Sequence, residues 1–187
     1  IISPLLYGLD SRVRDAIAPI KRRKKALAII HDTYGGLVEV VERMVNIIRT
    51  TYDEVIFIIP DRAMSAGTIF ALSADRILMD CFSCLGPIDP QIEKEGKLVP
   101  ALSYFNQYER LNKKAAKGEL TSAEYALLSK LDLGELYQFE QAKELSRELL
   151  VKWLSNYKFK NWNVTETKKT TVTPQMKKDQ ANKIAEL

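Results

Sequence analysis

The sequence predicts an α/β domain with a parallel-sheet core and a helical second half. Three observations carry this. Short continuous apolar runs, Ala26–Ile30, Val55–Ile59 and Ile77–Met79, read as strands buried on both faces, as in parallel sheets. Segments of helical periodicity separate them, giving a strand–helix–strand–helix–strand order with right-handed crossovers. Beyond residue 100 the chain changes character and reads as helix after helix.

In chain order, Ser11–Lys25 is polar and helix-like and ends in the basic run Lys21, Arg22, Arg23, Lys24, Lys25. Residues 1–25 are read as an N-terminal helical segment, 26–100 as the α/β core and 101–187 as a helical region with a mobile linker at 161–173. Leu37, Val40, Val41, Met44, Val45 and Ile48 recur at helical spacing. Ser65–Ala74 reads as a short buried helix. Ala101–Ala116, Ser122–Leu131 and Leu133–Tyr157 follow, and the pair Thr121 and Glu124 predicts a capping box. Leu136, Phe139, Leu145, Leu149, Leu150, Trp153 and Leu154 form an apolar stripe for the core or an oligomer face. Pro174 opens a last helix that runs to Leu187.

Composition bounds the function. With 187 residues, 46% hydrophobic and 28% charged, the chain can build one sizeable core. No apolar run reaches the roughly 18 residues of a membrane span. The net charge of +4 is too small to argue for nucleic acid. Two cysteines cannot form a disulfide framework, which favours a reducing, cytoplasmic compartment. The run at 21–25 reads as a solvated helix end, with an anionic membrane surface as its alternative partner. The first residue is Ile1 and no signal-peptide pattern opens the chain, so the sequence reads as a piece of a longer protein.

Three motifs follow the three strands. Ala63-Met-Ser-Ala-Gly67 lies between a strand and a helix, placing Ser65 on unpaired N–H groups at the positive helix end. That suits a nucleophile, and it equally suits a plain N-cap. His31-Asp-Thr-Tyr-Gly-Gly36 supplies two glycines whose N–H groups suit an oxyanion hole, or simply a tight turn. Leu85-Gly-Pro-Ile-Asp-Pro-Gln91 is a rigid loop with Gly86 and Pro87, suited to a substrate-binding wall. In a parallel sheet the three loops meet at one crevice. Cys81 and Cys84 form a Cys-x-x-Cys, but a zinc site needs further ligands and His31 is the sole histidine.

Asp32-Thr-Tyr-Gly-Gly36, Ala63-Met-Ser-Ala-Gly-Thr68, Ala74-Asp75 and Leu85-Gly-Pro-Ile-Asp-Pro-Gln91 together resemble the serine dehydrogenase-type proteinases. These are a branch of the Clp protease/crotonase-like superfamily, related to signal peptide peptidase A. Tyr34 stands where the family more usually has proline. The resemblance implies a serine endopeptidase acting on peptides or membrane-associated proteins. It implies Ser65 as nucleophile, Gly36 and Ala66 as oxyanion-hole donors, and Gly35, Gly86 and Pro87 against the substrate. It implies a homo-oligomer joined by the long helix and no metal or organic cofactor. A crotonase-like acyl-coenzyme A enzyme and a scaffold without catalysis are the alternatives.

The general base is open at this level. The family order Ser, Asp, His calls for a histidine after Ser65, and none follows, so the expectation is a histidine beyond Leu187 or one that is never used. A lysine base, as in signal peptide peptidase A, would come from Lys113, Lys114 or Lys117, with Lys113 first. His31 reads as a structural residue at the end of a strand.

Overall fold

In the computed structural model, placement is described for all residues except 21–23, 89–90, 95–96, 168 and 186–187. At 24, 91–94, 97–104 and 133 the structure describes the backbone alone. Most of the basic run, the Asp89-Pro90 part of the third motif and the end of the last predicted helix therefore lie outside the described residues.

β1 (Lys24–Ile30), β2 (Tyr52–Ile59) and β4 (Arg76–Met79) form the main sheet in the order β1-β2-β4. Both pairings are parallel, with Ile30 opposite Ile58 and Ile58 opposite Leu78. α2 (Val38–Thr51) crosses from β1 to β2, and α3 (Ala66–Leu72) precedes β4. The periodicity of α2 is realised. Val38, Val40, Val41, Met44, Val45 and Ile48 are all buried, each such side chain contributing roughly 1.5–3 kcal/mol. They join Ile29, Val55, Phe57, Ile59, Ile69 and Phe70 in one core.

The first helix is shorter than the polar pattern suggests. α1 covers Leu9–Ile17, and residues 18–20 turn out of it. Pro19 has no N–H to carry the helical ladder onward, and Lys24 already belongs to β1. The segment ahead of α1 lies along the core, with Leu5 fully buried.

The second half is helical after a short antiparallel hairpin, β6 (Gln91–Lys94) with β7 (Lys97–Pro100). α4 (Ala101–Ala116), α5 (Ser122–Leu128), α6 (Leu133–Trp153) and α7 (Pro174–Ala185) follow. The capping box at Thr121 and Glu124 is present. α6 passes into a π-helical turn, Leu154–Lys158. Leu149, Leu150 and Trp153 enter the core, so Trp153 is a core residue and not part of a free face. Residues 161–173 carry their own bonds. Val164 bridges Thr171 in antiparallel fashion, and Thr165 N–H donates to Thr170 O at 2.9 Å. Among the described residues no helix is long and apolar enough to cross a membrane.

Candidate active site

Past their ends, the strands continue into a second small parallel layer, β3 (Arg62–Ala63) beside β5 (Cys84–Leu85). Thr33 bridges Ala63, while Ile2 and Leu5 bridge Asp32 and Gly36, all in parallel. The three motifs thus lie side by side. Thr33 N–H donates to Arg62 O at 3.0 Å, Met64 N–H to Thr33 O at 3.1 Å, and Gly86 N–H to Ala63 O at 2.9 Å. Ser65 N–H donates to Pro87 O at 3.2 Å. Gly86 and Pro87 therefore anchor the turn that carries Ser65.

That turn is sharp. Ser65 has φ 51° and ψ −122° immediately before α3, a backbone region that side chains with a Cβ rarely occupy. Its side chain does not cap the helix, so the N-cap reading is not realised. Strain of this kind persists only where surrounding bonds over-determine it. Thr68 Oγ1 supplies two of them, donating to Ala63 O at 2.6 Å and reaching Gly86 O at 3.0 Å. Gly67 lets α3 settle onto Thr33: a Cβ there would stand 2.4 Å from Thr33 Cγ2.

Gly35 faces the serine. Its ideal Cβ position lies 2.9 Å from Ser65 Cβ and 3.4 Å from Ser65 Oγ, and its φ is +111°. Gly36 has φ +153°, and a Cβ there would stand 2.3 Å from Leu5 O. Leu5 bonds through Gly35 O and Leu37 N–H, which turns Gly36 N–H away from Leu5. Ala66 is the first residue of α3 and its N–H has no intrahelical acceptor. Among the described residues neither of these two N–H groups donates to a backbone carbonyl.

Tyr34 is 71% exposed and lies under Arg62, whose guanidinium carbon is 4.8 Å from the ring centroid. Asp61 pairs with Arg62 from the other side. Proline's absence at this position thus leaves the glycine turn intact, with Tyr34 held at its outer surface.

Each base candidate has surroundings of its own. Lys113 is 76% exposed on α4 and pairs with Glu109 at 3.4 Å. Lys114 pairs with Glu124 at 2.6 Å, which together with the Thr121 N–H holds the Glu124 carboxyl down at about 2. Lys117 is exposed. His31 is fully buried, edge-on to Phe57 and Phe70 at 5.4 and 5.3 Å. Burial pushes its imidazole down to about 4, and among the described residues neither ring nitrogen has a hydrogen-bond partner. It is a neutral core residue. Cys81 and Cys84 are exposed free thiols, and no metal-ligand cluster occurs among the described residues.

Asp75 has a role the motif alone did not reveal. It accepts from Arg49 at 2.7 Å and from the Val55 N–H at 2.8 Å, and it pairs with Lys160. Burial favours the neutral acid, but these partners outweigh it and hold the carboxyl below its usual range. Arg49 also stacks on Tyr157, 3.7 Å from the ring centroid. The Ala74-Asp75 step of the motif therefore ties α2, β2 and the end of the long helix together.

The sequence profile of the ClpP-like SDH-type serine proteinases matches residues 10–173. Two uncharacterized proteins of Methanocaldococcus jannaschii are similar in sequence. MJ0137 is 32% identical over 147 residues, which is 72% of this chain and 49% of that protein. MJ1495 is 35% identical over 135 residues, 65% of this chain and 42% of that protein. The chain thus spans about half the length of the curated relatives it matches. Among solved structures, a mutant of the 1510-N membrane-bound stomatin-specific protease aligns with TM-score 0.42 and 20% identity, covering 74% of this chain and 81% of that one. ClpP1 from Listeria monocytogenes aligns with TM-score 0.40 and 17% identity, covering 74% and 84%.

Proposed function

This chain belongs to the family of ClpP-like SDH-type serine proteinases, and on that premise we propose that it is a serine endopeptidase with Ser65 as nucleophile. The single observation that carries the assignment is the backbone of Ser65. A serine held at φ 51°, ψ −122° between a strand and a helix has the strained turn that presents an Oγ for attack. A capping serine needs no such strain.

In the proposed reaction Oγ bonds to the scissile carbonyl carbon while its proton passes to a base. The N–H groups of Gly36 and Ala66 hold the oxyanion. The C–N bond then breaks, the leaving amine takes the proton, and water repeats the sequence to release the acyl group from Ser65. Gly35 keeps the approach to Oγ open, since any side chain there would occupy it. Peptides or membrane-associated proteins are the proposed substrates, and the working unit is proposed to be a homo-oligomer.

A fluorophosphonate probe, applied to a form of the protein that carries the general base and followed by peptide mapping, tests the assignment. Label on Ser65, absent in Ser65→Ala, is expected. Absence of label, or label on another serine, overturns it.

A further inference from the structure

A second cavity opens one residue beyond Gly36. It has a volume of about 560 Å³ and lies between the N-terminal segment, the start of α2 and the exposed side of α6. Leu37, Ala142 and Leu145 give it an apolar floor, with Leu37 and Ala142 themselves buried. Tyr7 and Tyr137 form aromatic walls that are largely exposed. Three carboxylates, Glu39, Glu144 and Glu148, stand around this frame. The volume is in the range of small-ligand clefts.

We propose that this cavity is a specificity subsite for a basic side chain, lysine or arginine, of the peptide whose scissile bond lies at Ser65. The proposal rests on the peptidase reading above. Three features converge on it. An apolar floor suits the methylene stem of a long cationic side chain, which packs along apolar surface while its head stays polar. Tyrosine faces attract ammonium and guanidinium groups. Tyr7 already does so within the chain, with the Arg43 guanidinium carbon 5.6 Å from its ring centroid. The carboxylates then complete the site, because a cation placed among them is favoured and an acidic side chain is repelled.

Position ties the cavity to the reaction. Leu5 N–H donates to Gly35 O at 2.9 Å and Leu37 N–H to Leu5 O at 2.8 Å. The segment that leads to the Tyr7 turn is thereby bonded to the loop that carries Gly36, and Leu37 is shared between that loop and the cavity floor. A peptide lying across Gly36 would bring a neighbouring side chain to the cavity mouth.

The test uses binding, so it does not depend on turnover. Fluorescein-labelled hexapeptides identical except for one lysine, arginine, norleucine or glutamate are titrated onto the 187-residue Ser65→Ala protein at low and high salt. The lysine and arginine peptides are expected to bind more tightly than the norleucine one, and the glutamate peptide least. The double variant Glu144→Gln, Glu148→Gln should weaken the lysine peptide by roughly two- to fivefold per carboxylate removed, the scale of exposed ion pairs. It should leave the norleucine peptide unchanged. Tyr137→Ala should weaken all but the glutamate peptide. Equal binding of lysine and norleucine peptides, or charge preference that survives the double variant, overturns the subsite. Fluorophosphonate labelling of Ser65 in the otherwise unaltered protein reports separately on the peptidase reading, so each can fail alone.

Discussion

The Gly35 Cα–H faces the Ser65 side chain so closely that a Cβ on Gly35 would stand 2.9 Å from Ser65 Cβ and 2.8 Å from Met64 O. Both obstacles belong to the turn itself, and Gly35 has φ +111°. Gly35→Ala must therefore move Ser65 or its own backbone. The left-handed conformation adds about 1–2 kcal/mol to the cost. The expected outcome is loss of at least tenfold in fluorophosphonate labelling together with a lower melting temperature. A variant that melts lower but labels normally would show that Gly35 serves only the fold.

Ser65 is expected to trade stability for reactivity. Its φ of 51° with ψ −122° lies where glycine is free and serine is strained. Ser65→Gly should raise unfolding stability by on the order of 1–3 kcal/mol while abolishing labelling. Ser65→Ala keeps the Cβ and should abolish labelling with little change in stability. Urea unfolding of the three proteins measures this, and a Ser65→Gly protein less stable than Ser65→Ala contradicts it.

Acid should unfold the protein through His31. Burial lowers its pKa from an ordinary 6.5 to about 4. As pH falls through that window, the unfolded chain takes up a proton that the folded chain refuses, so stability drops. The loss is full near pH 4 and amounts to roughly 3 kcal/mol. Asp75, held below its usual range, acts in the same direction at lower pH: its contribution persists above about 4 and is lost below. His31→Phe should flatten the stability profile between pH 6.5 and 4 in urea unfolding. An unchanged slope in that variant would assign the acid sensitivity elsewhere.

Asp75 and Arg49 are 6% and 10% exposed, so their pair is largely removed from water. Arg49→Met leaves the Asp75 charge short of a partner and should destabilise by roughly 3 kcal/mol or more. Lys160→Met, which removes the more exposed partner, should cost clearly less. Thermal unfolding ranks the two, and the reverse order would refute the account.

The parts of the site that rest on local pattern were legible from sequence. Apolar runs ending in Gly35-Gly36 and before Ser65 place those residues at one sheet edge, and the parallel pairing Ile30, Ile58, Leu78 delivers it. What depended on distant partners was not legible. Asp75 looked like a motif residue until Arg49 and Lys160 appeared beside it. The polar stretch 161–173 read as a linker because the Val164–Thr171 bridge has no sequence signature of its own. The backbone of Ser65 was also invisible, since the bonds from Thr68 and to Pro87 that enforce it come from the fold.

The lysines of α4 are expected to be spectators in catalysis. Lys113 and Lys114 are held at the surface by Glu109 and Glu124, and a base must accept the Ser65 proton within hydrogen-bond reach. Lys113→Met and Lys114→Met should therefore leave peptide turnover and Ser65 labelling within about twofold, which is the scale of surface electrostatics. With Lys113 and Lys114 engaged by carboxylates and His31 neutral in the core, the 187-residue chain is expected to hydrolyse peptides only at the residual rate that the oxyanion hole and binding supply, about 10³-fold over water. A longer form of the protein that brings the histidine implied by the family resemblance should turn over far faster. One peptide-hydrolysis assay compares the chain, its two lysine variants and the longer protein. Full activity in the chain that disappears in Lys113→Met would reinstate the lysine as base. Full activity that survives both variants would require a base among the remaining residues of the chain, and His31→Phe would then be the next variant to assay.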